Sequence, residues 1–171
     1  MIGTGGAQAG REAGMAGPGD GFRLMRGSTG FFTSGDPGIR RTDPRACRTA
    51  WYAAARAAGG RVGEFEARQI AQTFHTATIE RPDGRCCALF QAYTPLVAFV
   101  DEPHDWYTDQ FREAPAWAAG LGDFGFTVLS AAVLLSPLSS ADTSALSAVE
   151  RRQIDYWRPE TVGAVLFNSW D

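Results

Sequence analysis

"TFHTATIERPDGRCCALFQAYTPLVAFV", residues 73–100, decides the fold. Two runs rich in β-branched and aromatic residues flank Pro82-Asp83-Gly84, and a third run, Leu96 to Val100, follows Pro95. Proline pre-sets the first turn angle and glycine tolerates the left-handed region, so residues 72–93 read as a β-hairpin around a three-residue turn. Pairing Arg81 with Arg85 across that turn places Glu80 opposite Cys86, Ile79 opposite Cys87, Ala77 opposite Leu89 and His75 opposite Gln91. One face then carries His75, Ala77, Ile79, Cys87, Leu89 and Tyr93, and should be covered. The other carries Phe74, Thr76, Thr78, Glu80, Cys86, Ala88 and Phe90, and should be partly wetted. Pro95 ends the second strand, and the apolar Leu96–Val100 suits a strand near a sheet centre.

On the N-terminal side, residues 61–70 alternate Glu64, Glu66 and Arg68 with Phe65 and Ala67, which favours another strand. Before it lies a helix over about 44–58, with Asp43 as cap, Pro44 in the first turn and Gly59-Gly60 as stop. Cys47, Ala50, Trp51, Ala54 and Ala58 share one face of it. Residues 1–42 hold many of the twenty glycines. Up to about residue 20 they cannot bury enough apolar surface to offset their ordering entropy, so 1–42 is expected to be largely disordered and 43–171 to form a single domain. "FRLMRGSTGFF" (22–32) can still lie on that domain as an extended arm.

Beyond residue 100, a short helix from Pro115 to Leu121 leads to a strand at 126–130, a spacing compatible with a parallel strand–helix–strand unit. "SAVE" at 147–150 has capping-box form, and Pro159 is placed to open a final helix. The expected fold is therefore α+β: a small, mainly antiparallel sheet with an N-terminal helix and a C-terminal helical segment packed on it.

Composition narrows the function classes. All sixteen basic residues are Arg and the net charge is −3. Without Lys there is no Schiff-base lysine and no P-loop lysine, and without a basic block no nucleic-acid footprint is visible. Lys and Asn codons are A-rich; their scarcity (Asn168 is the one Asn) points to a GC-rich bacterial gene. The longest apolar run, Val128 to Leu135, is far short of the roughly 20 residues a membrane span needs. With no apolar leader, the chain reads as cytoplasmic. Three cysteines, two of them adjacent, make no disulfide framework.

Several constellations fail on inspection. In the register above His75 and Cys87 share a face but lie roughly 13 Å apart along the strands, too far for a nucleophile–base pair. The same separation and the bare "CC" argue against zinc, so no metal or other cofactor is expected. "GLGDFG" (120–125) has a helix before it and a strand after it, the reverse of a dinucleotide fingerprint. "RGSTGFFTSGDPG" offers backbone N–H groups that can cradle an anion with Arg26 nearby, but a mobile linker has the same composition and is the favoured reading.

Two stretches remain. "FVDEPHDWYTD" (99–109) places Asp101, Glu102, His104 and Asp105 after an apolar strand, with Trp106 and Tyr107 as aromatic walls, a mixture that binding pockets use. "YWRPETVGAVLFNSWD" closes the sequence on Trp157, Phe167 and Trp170, a helix docked on the core or offered to a partner protein. The leading expectation is a soluble, non-catalytic binding or interaction module, with an unidentified small molecule or protein as partner and neither nucleic acid nor membrane. The alternatives are a hydrolase- or transferase-type enzyme using the Asp101–Asp109 loop, and a regulatory protein that pairs through its C-terminal helices. Whether the chain is an enzyme stays open at this stage.

Overall fold

The computed structural model describes residues 21–171, so the disorder expected up to residue 20 lies outside the described residues. The fold is α+β. In chain order it comprises α1 (Pro44–Ala57), β1 (Arg61–Glu66), β2 (Phe74–Arg81), β3 (Gly84–Gln91), β4 (Leu96–Val100) and β5 (Phe111–Arg112). A 3-10 helix (Ala116–Phe124), β6 (Thr127–Val128), α2 (Ala131–Leu134), a second 3-10 turn (Leu138–Ser140), α3 (Ala148–Trp157) and α4 (Val162–Leu166) complete it. The sheet runs β1-β2-β3-β4-β5 with every pair antiparallel. β6 adds to β4 in parallel, Leu96 opposite Thr127 and Val97 opposite Val128, as the spacing allowed.

The hairpin is present but its register is one residue away from the expected one. Arg81 pairs with Gly84 rather than with Arg85, so Ile79 faces Cys86, Thr78 faces Cys87, Ala77 faces Ala88 and His75 faces Phe90. Gly84 keeps a positive φ of 138° but belongs to β3, leaving Pro82-Asp83 as the loop. Side chains alternate with period two, so this slip exchanges β3 between faces. His75 and Cys87 end on opposite faces of the sheet.

Both faces are covered over β2 to β4, and the Phe74 face stays partly wetted towards β1, where Thr76 and Glu80 are half-buried and Glu64 and Glu66 exposed. On one, Trp51 and the alanine stripe of α1 pack with Ala77, Ile79, Ala88, Phe90, Val97 and Phe99, joined by Leu121 and Phe126. The Trp51 indole donates to the Thr78 carbonyl at 3.0 Å, which satisfies its one polar atom inside the core. On the other face, Phe74, Cys87, Leu89, Ala98 and Val100 meet Leu134, Val162, Val165, Leu166 and Phe167. Helices thus cover both sides of the sheet, a three-layer arrangement around two apolar clusters.

The terminal segments close this second layer. Residues 21–42, which composition set apart from the globular unit, lie on it: Leu24 has no exposed surface, and Ser28 and Thr29 are buried. The expected strand over 61–70 stops at Glu66, after a bulge between Val62 and Phe65. α1 carries its Asp43 cap, and α3 carries the full Ser147–Glu150 capping box. Pro159 does not open the last helix. Arg158 ends α3 in the left-handed region (φ 48°), and Thr161 caps α4 instead.

Candidate functional site

Residues 101–110 are the loop of the β4–β5 hairpin, whose last pairs are Val100 with Phe111 and Phe99 with Arg112. At its base Asp101 accepts two hydrogen bonds from Arg112, from Nε at 2.7 Å and from Nη2 at 2.5 Å. Such a fork-to-fork pair fixes the loop's first residue and occupies its carboxylate. Tyr107 then turns inward, only 2% exposed, with its ring against Phe74 (5.4 Å) and Phe111 (6.3 Å). Its hydroxyl accepts from the His104 N–H at 2.6 Å and donates to the Glu102 carbonyl at 3.3 Å. Burial pushes the phenol well above its ordinary value, so it stays neutral and able to donate. Ser169 Oγ donates to the Asp105 carbonyl and ties the arch to the C-terminal segment.

The facing wall comes from the turn between α3 and α4. Trp157, in the last turn of α3, lies parallel to Trp170 with ring centroids 6.1 Å apart and planes 7° from parallel. Asn168 fixes Trp170 by accepting from its backbone N–H, while its own amide donates to the Thr29 and Val165 carbonyls. The left-handed Arg158 and the following Pro159 swing the chain away from the helix axis. A cleft of about 350 Å³ lies between the two walls, lined by residues 106–109, 157–161, Ala164 and 168–170.

The two stretches singled out in the sequence, fifty residues apart, therefore meet in one place, though not with all their members. Trp106, Tyr107, Trp157 and Trp170 line the cleft. Asp101, Glu102, His104 and Asp105 are exposed and are not among its lining residues. Phe167 is fully buried against Phe111 and Phe74. The cleft takes in Asp109 from the end of the loop already singled out and adds residues that the sequence reading did not propose as binding groups, Arg158, Glu160 and Thr161. One signal for this turn was available. A residue before proline is biased away from the helical region, so "Trp-Arg-Pro" marks the end of α3 at Arg158.

The polar inventory of the cleft is uneven. Asn168 and Ser169 spend their side chains within the protein. Arg158, Asp109 and Glu160 make no ion pair among the described residues. The Trp157 indole N–H is buried and finds no acceptor among the described residues. The pockets at residues 113–130 and 59–82 lack this combination of aromatic walls and charges of both signs, whereas a cleft of equal volume on the far side of Trp170, lined by Phe31, Phe32 and Tyr93 with Arg41, Arg68 and Asp171, shares it.

The remaining sequence candidates resolve in structural terms. Burial raises the thiols of Cys47 and Cys87 to about 12 and that of Cys86 to about 11, so each stays protonated and poorly nucleophilic. Among the described residues no group of three His, Cys, Asp or Glu side chains is placed to hold a metal. "GLGDFG" ends the 3-10 helix, with Gly125 left-handed at its C-cap. The anion cradle exists and is filled from within: Gly27 N–H (2.8 Å) and Thr29 Oγ1 (3.0 Å) both donate to Glu150 Oε1. Among the described residues no helix is long and apolar enough to cross a membrane. The chain matches no protein-family model, and neither a curated protein nor a solved structure matches it.

Proposed function

We propose that this chain is a non-catalytic binding module that takes a small ligand in the cleft between Trp106–Asp109 and Trp157–Thr161. The observation that carries the reading is the convergence, in one concavity, of indole surfaces with three charged side chains that make no ion pair among the described residues. A volume of about 350 Å³ falls at the small-molecule end of ligand sites. The enzyme alternative draws less support. His104 stands outside the cleft with Glu102 and Asp105, and Asp101 is engaged by Arg112. The net charge of −3 without a basic block favours a partner other than nucleic acid. We place the protein in the bacterial cytoplasm on the composition arguments above.

A second reading has one observation of its own. Tyr156 (76% exposed) and Trp106 (60% exposed) are large aromatics left in water on or beside the cleft residues, and aromatics with arginine are enriched at protein interfaces. Both readings are tested by following the five indole N–H resonances during titration with small organic ions and neutral fragments. Trp51 and Trp117 pack on the opposite face of the sheet and serve as internal controls. Expected are shifts at Trp106, Trp157 and Trp170 alone. Silence of these three against the whole set at millimolar concentration defeats the small-ligand reading and leaves the partner reading.

A further inference from the structure

We infer that the ligand is a small zwitterion, an alkylated ammonium joined to a carboxylate by a short link; this rests on the cleft being the binding site. The charges lining the cleft are Asp109 and Glu160 on one side of the ledger and Arg158 on the other. All three are exposed, and none is neutralised by an ion pair within the described residues. A purely anionic ligand meets two carboxylates, and a purely cationic one leaves the guanidinium beside its own charge. A molecule with both charges answers both signs at once. Arg158 supplies a planar fork suited to a carboxylate, as Arg112 already displays towards Asp101 in the same loop system.

The aromatic walls select the kind of cation. A bare ammonium carries three strongly hydrated N–H groups, and each needs an acceptor when it leaves water. A fully alkylated ammonium has no N–H to satisfy, is weakly hydrated, and is attracted by the negative face of an indole ring. Trp106 presents an exposed indole, and the parallel pair Trp157–Trp170 extends a second ring surface. The cleft offers few side-chain acceptors beyond the two carboxylates, because Asn168 and Ser169 are already engaged. Ring faces and diffuse negative charge fit a methylated cation better than a primary amine.

Three probes of nearly one size separate these elements. Glycine betaine carries both charges, choline replaces the carboxylate by a hydroxyl group, and 3,3-dimethylbutanoate replaces the ammonium by its neutral carbon isostere. In titrations of the full chain read at the Trp106, Trp157 and Trp170 indoles, betaine is expected to bind at least tenfold more tightly than either of the others. Arg158→Gln is expected to reduce betaine to the level of choline and to leave choline within about twofold, with Trp51 and Trp117 signals unchanged as proof of folding. The inference is overturned if choline or 3,3-dimethylbutanoate equals betaine, or if Arg158→Gln weakens all probes alike. It is also overturned, with the cleft reading intact, if all three are silent while other fragments shift the cleft indoles. Silence from every compound defeats both.

Discussion

Replacing Glu150 by alanine isolates what holds the N-terminal arm on the domain. The Glu150 side chain is fully buried, and no ion pair reaches it among the described residues. Its Oε1 accepts from Gly27 N–H and Thr29 Oγ1, with a weaker contact from Thr29 N–H at 3.4 Å, and Oε2 accepts from Ser147 N–H at 2.9 Å. Alanine strands the N–H groups of Gly27 and Ser147, each worth about 1–3 kcal/mol when left without an acceptor. The Thr29 hydroxyl can rotate towards another acceptor, and relief of the carboxylate's desolvation returns part of the loss. The net expectation is a destabilisation of about 2–4 kcal/mol, read from urea unfolding at constant m-value. Glu150→Gln keeps one acceptor but turns an N–H₂ towards the other set of donors, so about half of that loss is expected. Hydrogen exchange should quicken at Gly27 and Thr29 in both variants before it quickens in β2 or β3. If Glu150→Ala lies within about 0.5 kcal/mol of wild type, desolvation cancels the bonds and the reasoning is wrong.

Three further outcomes are expected. Burial first, with help from the Arg68 charge and against the Thr42 backbone, lowers the His75 pKa, and its Nδ1 accepts from Arg68 N–H at 2.9 Å. The unfolded chain therefore takes up this proton first: the stability due to His75 is whole above about pH 6.5 and is lost as pH falls through the folded-state value. His75→Gln should flatten the difference in urea midpoint between about pH 7.5 and pH 5 relative to wild type, and an unchanged slope counts against the assignment. The three buried or half-buried thiols should react with an aromatic disulfide reagent at about pH 8 only as fast as the chain opens, and a rapid native-state phase at Cys86 contradicts its raised pKa. A methyl group at Gly163 would sit 2.9 Å from the Leu134 carbonyl oxygen and 2.8 Å from Phe111 Cζ, so Gly163→Ala should destabilise by about 1–3 kcal/mol in the same unfolding assay. A neutral Gly163→Ala means that α4 can shift freely.

What the residues made legible was local. Asp43-Pro44 and Ser147–Glu150 announce helix starts because a side-chain oxygen two or three residues from a backbone N–H is a short-range fact. The hairpin was legible as an element, but its register hung on whether Gly84 belongs to the turn or to β3, and a one-residue error there exchanges a whole face. The glycines of 27–30 read as looseness; Gly27 and Gly30 are instead held at φ 91° and 79°, the turn that presents N–H groups to Glu150. No pattern within residues 22–32 names a carboxylate more than a hundred positions away. The cleft was half visible for the same reason: each wall has an aromatic signature, but their meeting depends on how the β4–β5 loop and the α3–α4 turn fall across the sheet. The charged partners Arg158 and Glu160 gain their interest only from that meeting.

The way the second layer is closed also fixes an order of events during synthesis. The sheet face formed by Phe74, Leu89 and Ala98 is sealed by Val162–Phe167, and the early arm reaches its seat by pairing Leu24 with Asp142, Gly27 with Glu150 and Thr29 with Asn168. A nascent chain can assemble the hairpin and dock α1 on its own side once about residue 100 has left the ribosome. The opposite side has only partial cover, from Leu24, Tyr107, Phe111 and Leu134, until residues 162–170 arrive. Contacts of such long sequence separation fold slowly, and the interval exposes a broad apolar sheet face to other nascent chains. The seal on this face is therefore completed by the last helix described, α4.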